Sequence, residues 1–525
     1  MQVVCYVPNP GDAALLPSPR RPARLSSAWL VFVASGGVLA GLVALLAVDP
    51  ARWSRRATAT SLVVYCAAGL KAPVEAVARE YEEAFGVEVQ LQFGGSNTLL
   101  ASLQMSDRAD LYLPAEDDYV HLARDKGLVE EVLPLARMRP VLAVKQGNPK
   151  GVRSIDDIIQ RKLRVAQANP EMAAVGRLAV EVLTRSGQWK PLAQCIAVTK
   201  PTVSDVAGDI AVGSVDAGFV WDVTIKQIPG LEVVAEPAFE KASALVSACI
   251  VRSSKQPTAA LHFARFLAAR DRGLKAFADA GFAVVDGDKW AETPEVRLLA
   301  GAMLRPAIEK TIAEFTEREG VEVVTKYDGC GSLVAQMKIG TIGTDAFFAC
   351  DKEFMDQVKP LFGAPSVVSQ NQLVLLVHKG NPHKIRRLRD LAKPGLRVGI
   401  GHEKQCAMGA LTQVTLREDG TRDLVMKNVV VQSPTGDMLV NPMLTGSLDA
   451  CVAYISNAAG NEGRLEAIPI DIPCAFADQP YAVAKDSDNK HLMNRLLLAI
   501  LAAESRDRFT QFGFTWKATP GGRKR

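Results

Sequence analysis

The stretch LVVYCAAGLKAPVEAVAREYEEAFGVEVQLQFGGSNTLLASLQ, residues 62–104, decides the fold because the chain carries it twice: residues 296–338 read VRLLAGAMLRPAIEKTIAEFTEREGVEVVTKYDGCGSLVAQMK. Pro73 pairs with Pro306 at an offset of 233 residues, and Gly86 with Gly320 at 234. Further on, VKQGNP ending at Pro149 answers VHKGNP ending at Pro382, and VGSVDAGFVW ending at Trp221 answers LTGSLDACVAY ending at Tyr454, both at 233. Four matches in one order over more than 150 residues predict two tandem domains of one fold, residues 58–290 and 291–518.

Each copy reads as strands alternating with helices. Residues 62–66 form a short apolar, β-rich run, and residues 70–85 place Val74, Val77, Ala78, Tyr81 and Phe85 at helical spacing, with Pro73 in the first turn where a missing N–H costs little. Residues 87–93 alternate as a strand, and Ser96 stands as a cap before a second helical run, residues 98–105. Strand, turn and helix in repetition predict an α/β fold with a parallel sheet. In such sheets ligands sit where strand ends meet helix starts.

Those turns, CAAGLKAP and FGGSNT, are small and polar, and that of the first copy contains no acid. N–H groups at a helix start, with a hydroxyl beside them, suit an anion. A Ser or Asn there is also ordinary helix punctuation, so a single loop decides nothing; several in one repeat unit carry more.

With CAAGLKAPVEAVAREYE, GVEVQLQFGGSNTLLASL, RADLYLPA, LAVKQGNP, ANPEMAAVGRLA and SVDAGFVW in order, the chain resembles the molybdate- and tungstate-binding proteins of ABC transporters. The resemblance covers nearly all of both copies. It implies two periplasmic-binding-protein-like domains of type 2, each two-lobed, with an oxyanion held in the cleft and delivered to an ABC permease. It places the ligand-binding residues of the first domain at Gly69, Leu70, Ser96, Asn97, Pro170, Ala173 and Trp221. Their counterparts in the second are Ala302, Met303, Cys330, Gly331, Ser332, Cys406 and Tyr454. The family often has Ser where Gly69 stands and Tyr where Trp221 stands, so two hydroxyl donors are missing. Molybdate, tungstate and sulfate carry no proton near neutral pH, so a donor-only site suits all three.

The second copy departs further. Its loop reads YDGCGS, with Asp328 opposite Gly94 and Cys330 opposite Ser96, and its third turn puts Glu403 opposite Pro170 and Cys406 opposite Ala173. A carboxylate there opposes a dianion, so this copy is either degenerate or takes a different ligand. Cys330 and Cys406, on two loops facing one cleft, are candidates for a disulfide or for soft metal ligands; the plainer alternative is two unpaired small residues.

Ahead of the repeat, residues 28–48 form a 21-residue uncharged stretch, long enough as a helix to cross a hydrocarbon layer of about 30 Å. It exceeds a usual signal-peptide core and no clean Ala-x-Ala site follows, so it predicts an uncleaved transmembrane anchor. Residues 1–27 are then a short Pro- and Arg-rich cytoplasmic tail, and the bulk of a single-pass membrane protein lies outside the cytoplasm, in the periplasm. Residues 519–525 form a basic tail.

Composition closes off other classes. A balance of 61 basic against 57 acidic residues gives +4 over 525 residues, with no concentrated basic excess to track nucleic acid. Nine cysteines without a Cys-x-x-Cys pair argue against a disulfide framework or zinc ribbon. No Gly-x-Ser-x-Gly elbow, Walker loop or His-Glu-x-x-His occurs, and His121, His262, His378, His383, His402 and His491 show no metal-ligand spacing. The expectation is a binding protein without cofactor, metal or catalytic residues. A membrane-tethered sensor or assembly module using the same fold is the alternative to delivery.

Overall fold

The computed structural model describes residues 61–518. Each copy closes its own apolar core, one built from residues between Leu62 and Phe282 and the other from residues between Val296 and Phe514. The transmembrane anchor expected at residues 28–48, the cytoplasmic tail and the basic tail lie outside the described residues. Among the described residues no helix is long and apolar enough to cross a membrane.

The opening motif folds alike in both copies. The strand Leu62–Ala67 leads through a 3-10 turn, Ala68–Leu70, into the helix Lys71–Phe85, and the strand Glu295–Gly301 leads through Ala302–Leu304 into Arg305–Glu319. Val74, Val77, Ala78 and Tyr81 give the first helix its buried face. Gly86, at φ 66°, and Gly320, at φ 64°, end the two helices in the left-handed conformation that Gly adopts without steric cost.

These equal helices correct the repeat register. Ala67 pairs with Gly94 and Gly301 with Asp328 across parallel strands, so the offset is already 234 at the first loop. Gly69 and Leu70 therefore correspond to Met303 and Leu304, one residue beyond the pairing with Ala302 and Met303, and Pro306 faces Ala72 rather than Pro73. The two prolines match by eye because each lies in the first turn of its helix, where Pro is tolerated at neighbouring positions.

The first domain holds two sheets. Six strands run in the order Ala283–Val284, Val129–Met138, Ala244–Val251, Leu111–Leu113, Leu62–Ala67, Val89–Gly94; five run Ile196–Lys200, Val165–Ala168, Ala217–Trp221, Pro140–Lys145, Leu231–Val234. Neither is purely parallel, contrary to the alternating pattern. Ala244–Val251 runs antiparallel to Leu111–Leu113 and to Val129–Met138, because the chain crosses between lobes and returns. The crossing at Arg139 joins Val129–Met138 of one sheet to Pro140–Lys145 of the other. In the second domain one 13-residue strand, Ser366–His378, makes that crossing unbroken, pairing with Phe476–Val483 along its first half and with Ala450–Tyr454 and Leu465–Pro469 along its second. Two lobes spanned by crossing strands leave a cleft between them.

Charged groups buried between the domains join them. Arg495 Nε lies 2.6 Å from Glu319 Oε1, and Arg265, on the helix Pro257–Ala268 of the first domain, lies 3.6 Å from the other carboxylate oxygen. Asp288, between the domains, accepts the N–H groups of His491 at 2.8 Å and Leu492 at 2.9 Å, meeting donors that open the helix Lys490–Ile500.

Candidate functional site

The cleft of the first domain holds a small, partly open pocket. Four junctions line it: Ala67–Ala68–Gly69 at the end of the first strand, Gly94–Gly95–Ser96, Ala173–Ala174–Val175, and Thr202–Val203, with Ala115 and Trp221 completing the wall. None of these side chains is ionisable. Ser96, Ala174 and Val203 are the first residues of the helices Ser96–Met105, Ala174–Arg185 and Val203–Val212, so three helix N-termini open onto one small space. Each brings backbone N–H groups without intrahelical partners and the positive end of its dipole.

Ser96 does not cap its helix. The helix begins at Ser96 itself with Gly95 as N-cap, and Ser96 Oγ accepts the backbone N–H of Ala115 at 3.1 Å. A hydroxyl that accepts from one side keeps its proton for another. The Tyr112 hydroxyl donates to the Ser96 carbonyl at 2.8 Å and fixes the loop from below.

Of the other residues expected here, Gly69, Ala173 and Trp221 also line the pocket, and Leu70, Asn97 and Pro170 do not. Leu70 is fully buried beneath the first turn. Asn97 joins the lobes instead, donating its backbone N–H to Met172 O at 3.0 Å and its side-chain amide to Glu171 O at 2.7 Å. Pro170 has no N–H to offer. The N–H of Ala173 is taken by Asn169 O at 2.9 Å. Gly95 permits the closure, because a Cβ there would stand 2.4 Å from Met172 O.

The two departures that the resemblance marks, Gly69 and Trp221, are neighbours in the structure. A Cβ on Gly69 would stand 3.0 Å from Trp221 Cδ1 and 3.4 Å from its Nε1, so the indole fills the room a side chain at position 69 would need. Trp221 is buried and packs across the cleft from the first loop.

At the rim, Arg177 of the helix Ala174–Arg185 reaches across the cleft to Glu116 at 2.6 Å and Asp118 at 2.7 Å, beyond the strand Leu111–Leu113. Burial pushes the Glu116 carboxyl up to about 7, the adjacent guanidinium opposing that rise.

The second cleft has the same frame with other chemistry. Cys330 opens the helix Cys330–Lys338, and Cys406 is the N-cap of the helix Ala407–Glu418. Gly331 links the lobes, donating its N–H to Gln405 O at 3.1 Å, and Ser332 is half-buried within the helix. Ala302 is half-buried and Met303 buried in the preceding turn. The sulfur nearest Cys330 belongs to Cys350, 2.7 Å away, rather than to Cys406. Cys350 follows the strand Ala346–Phe348 as Ala115 follows Leu111–Leu113, and its N–H donates to Cys330 Sγ at 3.1 Å. Burial raises the Cys406 thiol to about 11 and pushes the Tyr454 phenol upward, and the hydrogen bond with Cys330, reinforced by burial, pushes up the Cys350 thiol, so all three are neutral near pH 7. The buried hydroxyls of Tyr454 and Thr435 have no hydrogen-bond partner. Asp328 Oδ1 accepts the N–H of Gly329 at 2.7 Å. Among the described residues no group of three or more His, Cys, Asp or Glu side chains is placed to hold a metal ion.

Ala115, Thr202, Val203 and Cys350 escape the sequence reading. Ala115 and Val203 contribute backbone and small apolar side chains without chemical signature, the Thr202 hydroxyl donates to Asp205 at 2.6 Å as part of the cap of the helix behind it, and Cys350 lies outside the loops that the repeat aligns.

A family model described as bacterial extracellular solute-binding protein matches residues 62–283 and again residues 296–515, and the chain belongs to this family. The molybdate-binding protein ModA of Mycobacterium tuberculosis is 27% identical over 223 residues, covering 41% of this chain and 83% of that protein. An aconitate isomerase of Pseudomonas sp. is 26% identical over 257 residues, 47% of this chain and 94% of that protein. Among solved structures, the periplasmic molybdate-binding protein of Azotobacter vinelandii covers 43% of this chain and 100% of its own, with 21% identity and a TM-score of 0.37.

Proposed function

We propose that the first domain binds a tetrahedral oxyanion of the molybdate and tungstate class, with sulfate a further candidate, and delivers it to an ABC permease. The observation that carries this reading is the pocket lining: three helix N-termini and the Ser96 hydroxyl converge on a space without an ionisable side chain. A dianion that carries no proton needs donors alone. In this reading the donors are the Ser96 hydroxyl and the backbone N–H groups of Gly69, Ala174, Val175 and Val203, each charge-assisted bond contributing roughly 1.5–3 kcal/mol. Phosphate keeps a proton near neutral pH and needs an acceptor, which the lining side chains lack except for two hydroxyls. The same lining offers no general base, which supports binding rather than the proton transfer an isomerase requires.

The similarity to ModA supports the ligand class, and the family description supports an extracytoplasmic location. Residues 28–48 are the proposed tether, keeping the domains beside the permease in the membrane. A thermal-shift series on the full chain with molybdate, tungstate, sulfate and phosphate tests the reading. A ligand at 100 times its Kd stabilises by about 2.7 kcal/mol. Molybdate and tungstate should raise the melting temperature and phosphate should not; no shift with any of the four contradicts the proposal.

A further inference from the structure

The geometry assigns Cys330 and Cys350 as the two halves of a disulfide that closes the oxyanion loop of the second domain, an inference independent of what the first domain binds. Their sulfurs lie 2.7 Å apart and both residues are buried. Non-bonded heavy atoms rest at roughly 3.5 Å or more. At this separation the two sulfurs are inside contact distance, and a small side-chain rotation brings them to bonding distance, about 2.05 Å.

The other copy of the repeat serves as an internal control. There the equivalent positions are Ser96 and Ala115, joined by a single hydrogen bond from the Ala115 N–H, and Ala67 stands beside them at the end of its strand. In the second copy that strand ends at Gly301, where a Cβ would lie 2.0 Å from Cys350 Sγ and 3.0 Å from Cys330 Sγ. Three positions thus differ together: Ser to Cys, Ala to Cys, and Ala to Gly. The loss of a methyl group at position 301 makes the room that the second thiol occupies. Gln479 Nε2 donates to the Cys350 carbonyl at 3.0 Å and holds that backbone in place. Cys406 stays outside the pair.

The step needs a disulfide oxidant, a small-molecule or protein disulfide. One cysteine, as thiolate, attacks an oxidant sulfur and expels one thiolate; the other then attacks the mixed disulfide and expels the second. The two cysteines lose two electrons and two protons, and the oxidant is reduced to two thiols. With both thiols buried, the bond forms during folding. Once formed, it leaves no S–H at position 330, where the first domain has a hydroxyl donor.

Tryptic mapping of the full chain, alkylated without reduction after folding in a glutathione disulfide buffer, tests this. Cleavage at Lys326, Lys338 and Lys352 puts Cys330 in residues 327–338 and Cys350 in residues 339–352. The expected product is these two peptides joined, two hydrogens lighter than their sum, with Cys406 alkylated. Alkylation of both Cys330 and Cys350, or a link from Cys330 to Cys406, overturns the proposal. Gly301→Ala should abolish the link, and Gly301→Ala with Cys350→Ala should fold, since it restores the small residues of the first copy. Reductant should lower the melting temperature of the second domain by several degrees in the natural chain and leave that of Cys350→Ala unchanged. Equal shifts in both overturn the proposal as well.

Discussion

Ser96 Oγ accepts the backbone N–H of Ala115 at 3.1 Å, and this bond orients the hydroxyl in the wall of the pocket. One contact therefore serves both the fold and the proposed site.

Replacing Ser96 by Ala should weaken oxyanion binding roughly five- to 150-fold, about 1–3 kcal/mol, through loss of a donor to a charged acceptor. It should also destabilise the first domain by about 1–3 kcal/mol, because the Ala115 N–H is left buried without a partner. Calorimetric titration and urea unfolding of the full chain measure the two effects. Affinity that is unchanged places the ligand elsewhere.

Gly69 and Trp221 should behave as a coupled pair. Gly69→Ser alone crowds the indole, and Trp221→Tyr alone leaves space behind it, whereas the double variant relieves both. A double-mutant cycle on stability should show a favourable coupling of about 0.5–3 kcal/mol. Additive effects would show that the two departures arose independently.

His262 should make the first domain sensitive to mild acid. It lies 2.8 Å from the Tyr81 hydroxyl, and burial, reinforced by the charge of Arg265, lowers its pKa from 6.5 to about 4. The folded state therefore holds the neutral imidazole while the unfolded chain protonates near 6.5. This contribution is fully present above pH 6.5 and is lost as pH falls toward 4, up to about 3 kcal/mol. His262→Gln, which keeps an acceptor for Tyr81, should flatten the stability profile in that window. An identical profile would assign the acid sensitivity to other groups.

Removing the Glu319 carboxylate should strand two buried guanidinium groups, Arg265 and Arg495. Glu319→Ala is expected to cost about 3–5 kcal/mol and to separate the unfolding of the two domains in a calorimetric scan. A single unshifted transition would show that the domains are held together by other contacts.

The repeat was legible because each copy must bury the same helix face and end the same helix on a left-handed glycine, Gly86 and Gly320. Its register was not, since Pro73 and Pro306 tolerate different places in the first turn. The loops of the pocket were legible as small polar turns, and the resemblance named four of its lining residues, Gly69, Ser96, Ala173 and Trp221. It did not tell which residue of a loop faces the cleft. Asn97 and Pro170 sit in the right loops, yet one joins the lobes and the other has no N–H. Val203 carries no mark in the sequence because the backbone and the helix behind it supply its chemistry. Cys350 was hidden for a different reason: its partner is fixed by strand pairing, and its space by a missing Cβ on Gly301.

Of the two similar clefts, that of the first domain is the proposed oxyanion site. Titrating molybdate into the full chain by calorimetry, with and without Ser96→Ala, tests it most directly. The expected result is one site per chain, weakened by the substitution, and at least about tenfold tighter than any binding in the second domain, a gap of roughly 1.4 kcal/mol. Two sites of equal affinity, or a single site indifferent to Ser96, would contradict it.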